Sequence, residues 1–126
     1  MEIKPELKYT KDHEWVRVDG NQATVGITDY AQGELGDIVY VEIEALGEEL
    51  QKEEIFGSVE AVKTVSDLFL PISGTITEMN DGLEDNPELI NEDPYGKGWV
   101  IKMKIQNLDE LEELLDSESY KELIGV

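Results

Sequence analysis

The sequence predicts a mostly β domain of two similar halves, with short peripheral helices and a helical C-terminal tail over about residues 107–126. Three observations carry this reading. Several runs alternate apolar and polar residues with period two, the strand signature, because successive side chains of a strand point to opposite faces. The alternation changes phase at Val62-Lys63, as it does when a two-residue turn keeps one face buried through a hairpin. Finally, Glu49-Leu50-Gln51-Lys52-Glu53-Glu54-Ile55-Phe56-Gly57 is echoed by Glu88-Leu89-Ile90-Asn91-Glu92-Asp93-Pro94-Tyr95-Gly96. Two such units are too few for a solenoid and fit a pseudo-two-fold β domain. A chain of 126 residues is read as one domain, residues 1–126, with a core of its own.

In chain order, Trp15–Val18 and Ala23–Ile27, joined through Asp19-Gly20-Asn21, read as a hairpin with good turn chemistry. Thr28 or Asp29 caps a short helix through Tyr30 to Leu35, which Gly36 stops. Ile38–Ile43 returns to strand. Ile55, Gly57, Val59 and Ala61 then occupy odd positions, and Thr64, Ser66, Leu68 and Leu70 even ones. A turn of Val62 and Lys63 pairs Ala61 with Thr64, Val59 with Ser66, Gly57 with Leu68 and Ile55 with Leu70, all on one face. Pro71 opens an edge or bent segment, because it has no N–H for a ladder. Asn86-Pro87 reads as a cap and first position for one helical turn through Ile90. Trp99, Ile101, Met103 and Ile105 alternate against Val100, Lys102 and Lys104 as a half-buried strand. Asn107 and Glu110 form a capping box ahead of a stripe of Leu108, Leu111, Leu114 and Leu115. Ser117 caps a last helix carrying Tyr120, Leu123 and Ile124.

Composition narrows the function. Ten basic residues against thirty acidic ones leave a net charge of −20, which repels nucleic-acid phosphates and anionic membrane surfaces. The same charge steers the chain toward basic surfaces on other proteins. Acidic residues are interleaved with apolar ones, so the surface belongs to a folded domain, read as a monomer. The longest apolar stretch, Leu68–Ile72, is too short to span a bilayer, and no apolar leader follows Met1. A cytoplasmic location is the simplest expectation. Without cysteine there is no thiol chemistry of the chain's own, and His13 alone makes no ordinary zinc site, so no metal is expected. No G-x-S-x-G, P-loop or G-x-G-x-x-G is present, and Asn80-Asp81-Gly82 lacks calcium-loop spacing. No catalytic residues are assigned.

Lys63 stands apart. From Glu53 to Asp93 there are eleven acidic residues and this one base. Val-Lys is not a pair that two-residue hairpin turns favour, so a demand other than turn propensity has placed it there. The segment Gly57-Ser58-Val59-Glu60-Ala61-Val62-Lys63-Thr64-Val65-Ser66-Asp67, with Pro71-Ile72-Ser73-Gly74, resembles the swinging-arm segment of the glycine cleavage system H protein family. So do His13-Glu14-Trp15, Val25-Gly26-Ile27-Thr28, Ala31-Gln32, Leu35–Val41, Leu83–Asn91, Asp93-Pro94-Tyr95 and Gly98-Trp99. The likeness runs in order over roughly the whole chain.

The resemblance implies a lipoyl/biotinyl-type hybrid barrel-sandwich and lipoate in amide linkage to Lys63. Biotin carriers flank their lysine with methionines, whereas Val62 and Thr64 stand here. It implies a carrier and not an enzyme, whose cofactor brings the thiols the chain lacks. The implied partners are a lipoylating enzyme, glycine decarboxylase (P protein), the folate-dependent aminomethyltransferase (T protein) and dihydrolipoamide dehydrogenase (L protein). Glu60, three residues before the lysine, is the expected recognition point for the lipoylating enzyme. Glu14, Asp67 and Asp12 are the expected acidic groups of a cleft sheltering an aminomethyl-loaded arm, Asp67 on a face shared with Phe56 and Phe69. Ala61, Thr64 and Ala45 depart from the commoner residues, which leaves a lipoyl relay to 2-oxo acid dehydrogenases as the alternative.

Overall fold

The computed structural model describes all of residues 1–126. Nine strands form two antiparallel sheets: β1 (Lys8–Tyr9), β2 (Glu14–Asp19), β3 (Gln22–Ile27), β4 (Ile38–Ile43), β5 (Glu49–Leu50), β6 (Ile55–Ala61), β7 (Val65–Phe69), β8 (Gly74–Met79) and β9 (Ile101–Ile105). The larger sheet runs β1-β2-β3-β9-β8-β5 and the smaller β4-β6-β7. Helices α1 (Asp29–Leu35), α2 (Gly82–Asp85), α3 (Leu89–Glu92) and α4 (Ser117–Ile124), with a 3₁₀ helix at Leu108–Glu113, lie between and after the strands. None is long and apolar enough to cross a membrane.

The main core joins Val25, Ile76, Ile101 and Met103 of the larger sheet to Val59, Ala61 and Leu68 of the smaller. These are alternate positions of their strands, so one apolar face of each sheet meets the other. A second cluster of Leu7, Tyr9, Trp15, Tyr95 and Tyr120 binds the chain's two ends together. There Tyr120 of α4 stacks on Tyr9 with ring centroids 4.7 Å apart.

Local chemistry explains the elements that follow expectation. The β2–β3 hairpin pairs Asp19 with Gln22, leaving Gly20-Asn21 as a two-residue turn that uses Gly20 at φ 63°. Helix α1 begins where the Thr28 side chain accepts from the Ala31 N–H, and ends at Gly36 with φ 81°. Strand β4 keeps its predicted span.

Elsewhere tertiary contacts overrule the local reading. Asn86-Pro87 does not open a helix: Asn86 closes α2 through its N–H to the Gly82 carbonyl, and α3 starts at Leu89. Val100 faces inward, because its N–H is drawn to the Val25 carbonyl at 2.8 Å, and β9 starts one residue later. The capping box is also absent. Asn107 accepts from the Asp109 N–H, while Glu110 reaches across to the Ser73 N–H (2.7 Å) and hydroxyl (3.0 Å). Between the two helical pieces of the tail, Tyr9 and Leu115 exchange two backbone hydrogen bonds of 2.8 Å. Asp116 caps α4 in place of Ser117, accepting from the Ser119 N–H at 2.8 Å. The two echoing segments fold differently: 49–57 holds two strand pieces, 88–96 a helical turn.

Candidate functional site

The lysine hairpin forms with three of its four expected pairs: Gly57 with Leu68, Val59 with Ser66, and Ala61 with Thr64 through a 2.8 Å N–H to carbonyl bond. The fourth is displaced by a bulge between Ile55 and Gly57, which pairs Ile55 with Phe69. Leu70 instead donates to the Glu54 carbonyl (2.8 Å) and accepts from the Glu53 N–H (2.7 Å). The extra residue turns Phe56 into the core and leaves Ile55 half in solvent. At the crowded centre of the sheet, a Cβ on Gly57 would overlap the Glu42 carbonyl oxygen.

Val62 and Lys63 cap this hairpin, and both are exposed. The tip is braced. Val62 donates its N–H to the Asp37 carbonyl at 3.2 Å, tying the turn to the start of β4. Ile38 in turn donates to Asn91 Oδ1 (2.9 Å), and the Asn91 amide donates to Gln32 Oε1 (2.9 Å) and the Gly36 carbonyl (2.8 Å). Thus α1 and α3 hold the base of the hairpin. The Lys63 ammonium takes part in none of the six ion pairs of the molecule. A primary amine on a fixed turn, free of a carboxylate clamp, fits acylation by a carboxylic cofactor.

Glu60 lies on the outer face of the small sheet, between Tyr40 on β4 and Val65 on β7. The next outward row is Glu42, Ser58 and Asp67. Asp67 is exposed, and the bulge separates it from the buried Phe56 with which it was expected to share a face.

Glu14 and Asp12 meet at a cleft of about 150 Å³ that Asp67 does not line. Glu14 is 2 % exposed, the most deeply buried charged side chain. Its Oε1 accepts from the Thr10 hydroxyl (2.8 Å) and its Oε2 from the Phe69 N–H (3.4 Å). Thr10 Oγ1 itself accepts from the N–H groups of Asp12 and Glu14, both at 3.2 Å, which aims its single proton at Glu14. Burial pushes the Glu14 carboxyl up to about 8, against the weaker downward pull of the Thr10 hydroxyl. Three ion pairs flank the cleft, Lys11 with Glu53 (2.5 Å) and with Asp12 (3.8 Å), and Lys52 with Glu113 (3.6 Å). Positive φ at the non-glycine residues His13 (68°) and Glu53 (73°) marks strained backbone beside it. His13 Nδ1 lies 2.9 Å from the Tyr120 hydroxyl, which also bonds Thr28 Oγ1 at 2.7 Å. Burial lowers the His13 pKa from its ordinary value. Thr10 and Lys52, which line the same cleft, had no sequence signal of their own.

Comparison with known proteins agrees with this architecture. The family described as glycine cleavage H-protein matches residues 7–125. The glycine cleavage system H protein of Bacteroides thetaiotaomicron is 57% identical over 125 residues, 99% of each chain. That of Staphylococcus carnosus is 53% identical over the same length and coverage. The crystal structure of a glycine cleavage system H protein from Mycobacterium marinum superposes with a TM-score of 0.89 at 38% identity, covering 98% of this chain and all of that one. With a family match over nearly its whole length and relatives above half identity, the chain belongs to the glycine cleavage H-protein family.

Proposed function

We propose that this protein is the lipoyl carrier of a glycine cleavage system, with lipoate in amide linkage to Lys63 Nζ. The observation that carries the reading is Lys63 itself: exposed, without an ion pair, at the tip of a hairpin braced from two helices. When bound, lipoate supplies a dithiolane able to take an aminomethyl group from glycine decarboxylase, yield it to the folate-dependent aminomethyltransferase and be reoxidised by dihydrolipoamide dehydrogenase. The chain's own residues anchor, present and shelter; they perform no bond-making step of that cycle.

Lys63 is the anchor. Glu60, on the neighbouring outer row, serves recognition by the lipoylating enzyme. Glu14 and Asp12 line the sheltering cleft. Strand β7 connects anchor and cleft: Phe69, whose N–H meets Glu14, lies six residues beyond Lys63, about 20 Å along an extended chain. Asp67 lies on that route, exposed, and offers a carboxylate at the approach to the cleft. A protonated amine arriving beside Glu14 favours loss of the proton that burial retains there, because opposite charge stabilises the carboxylate.

The test is intact mass after incubation with lipoate and a lipoate ligase. The wild type is expected to gain one lipoyl group, and Lys63→Arg none, since guanidinium offers no amine for the linkage. Lys63→Arg should melt as the wild type does, because an exposed turn residue loses no packing. A lipoyl group on the arginine variant would end the assignment.

A further inference from the structure

We infer that the outer face of β4, β6 and β7, with Tyr40 and Val65 at its centre, docks the enzyme that ligates Lys63, and that enzymes acting later on the arm do not require this face. The inference rests on the proposed lipoylation of Lys63.

Eleven large apolar side chains are exposed on the molecule. Four surround the lysine: Val39 (46 % exposed), Tyr40 (55 %), Val62 (68 %) and Val65 (62 %). Exposed apolar residues scattered singly need no explanation, but a contiguous group does. Continuity here follows from register. Tyr40, Glu60 and Val65 form one cross-strand row, one pair below the Ala61–Thr64 closure of the turn. The irregularity of β4 between Ile38 and Tyr40 places Val39 beside the same row. None of these side chains belongs to either core cluster.

The rim is acidic. Glu42 and Asp67 lie one row out on the same face, Glu60 stands within the row between Tyr40 and Val65, and none of the three is neutralised by an ion pair. The matching partner surface has an apolar centre that accepts an aromatic ring and a basic rim, the arrangement that gives both affinity and steering.

Stem length selects the occupant. Lys63 Nζ sits at the end of a four-carbon stem, so an active site closing on it must cover the residues at the stem's base. Those residues are Val62, Val65, Tyr40 and Val39. Once lipoate is added, the proposed arm carries the reacting sulfur atoms away from the lysine stem, along β7 toward the Glu14 cleft. A later enzyme reaches them without touching Tyr40. The face is therefore a determinant of attachment and not of use.

The experiment compares wild type with Tyr40→Ser, Val65→Thr and the double variant. These positions are solvent-facing, so melting temperature and circular dichroism serve as controls for folding. Lipoylation is followed with a lipoate ligase, lipoate and ATP over a range of carrier concentrations. The double variant is expected to show a KM raised about tenfold with kcat within about twofold, the mark of a lost docking contact. In a second arm, wild type and double variant are driven to full lipoylation with excess ligase and reduced. Their reoxidation by dihydrolipoamide dehydrogenase is expected to match. Wild-type KM for the double variant overturns the docking face. Equal loss in both arms overturns its restriction to attachment. A wild type that takes no lipoate at Lys63 removes the parent reading and this inference with it.

Discussion

Glu14 is a carboxyl held out of water by the fold, with both oxygens accepting hydrogen bonds and no basic side chain touching it. Its protonation has a thermodynamic consequence with a definite sign. The native state holds this proton up to about pH 8, whereas the unfolded chain releases it near the ordinary value of 4.5. Between those limits the native state binds more protons, so stability from this group is present at low pH and lost as pH rises toward 8. Unfolding by urea at pH 5, 6, 7 and 8 should show the wild type losing ground steadily to Glu14→Gln, which does not titrate. A constant difference between them would mean that the carboxyl is not perturbed. The same substitution tests the cleft. Glu14→Gln should speed ammonia release from aminomethyl-loaded protein about tenfold, as expected for loss of a charge-assisted contact. Asp67→Asn should have a smaller effect, because Asp67 does not line the cleft.

At the scale of elements, two contacts set where the site's walls stand. Helix α4 is docked by Tyr120, whose hydroxyl reaches Thr28 at the cap of α1 and His13 next to Glu14. Tyr120→Phe keeps the stack on Tyr9 but leaves buried polar partners unpaired. A loss of about 1–3 kcal/mol in unfolding free energy is expected, measurable by urea denaturation. An unchanged midpoint would show that water replaces the hydroxyl without cost. The hairpin depends on Gly57, where β4 and β6 come too close for a side chain. The obstructing atom is backbone, which cannot swing aside. Gly57→Ala should therefore lower stability by at least about 2 kcal/mol and slow lipoylation through misplacement of the tip. An alanine variant with native melting temperature would contradict the close approach.

Over the whole molecule the dominant quantity is charge. All but Glu14 of the thirty acidic residues share the surface, with only six ion pairs. Self-repulsion on this scale destabilises the compact state, and salt screens it. Raising NaCl from 20 to 300 mM should lift the melting temperature by roughly 3–5 °C, for a gain of about 1 kcal/mol. The same salt should weaken association with enzymes that carry a basic docking rim, chiefly through a slower on-rate. Opposite salt responses of stability and of partner binding, in one protein, are the expected signature. A melting temperature that falls with salt would refute the self-repulsion.

Features governed by neighbours along the chain were legible in the residue order. Period-two alternation located β4 and the β2–β3 hairpin, and the phase flip at Val62-Lys63 located the turn and three of its pairs. Together with the quoted motifs it identified Lys63 as the residue to watch. Tertiary structure decided wherever a partner distant in sequence outbid the local preference. Ser73 drew Glu110 out of a capping box, and Val25 drew Val100 inward. The bulge at Phe56 could not be read from alternation, because the pattern is blind to one inserted residue until the opposing strand is known. The same limit applies to the site. Glu14 stood out only through the His13-Glu14-Trp15 match, and only the approach of Thr10 and Phe69 makes it a buried, proton-holding carboxyl. Tyr40 and Val65 are twenty-five residues apart, and only sheet register brings them to one row beside the lysine.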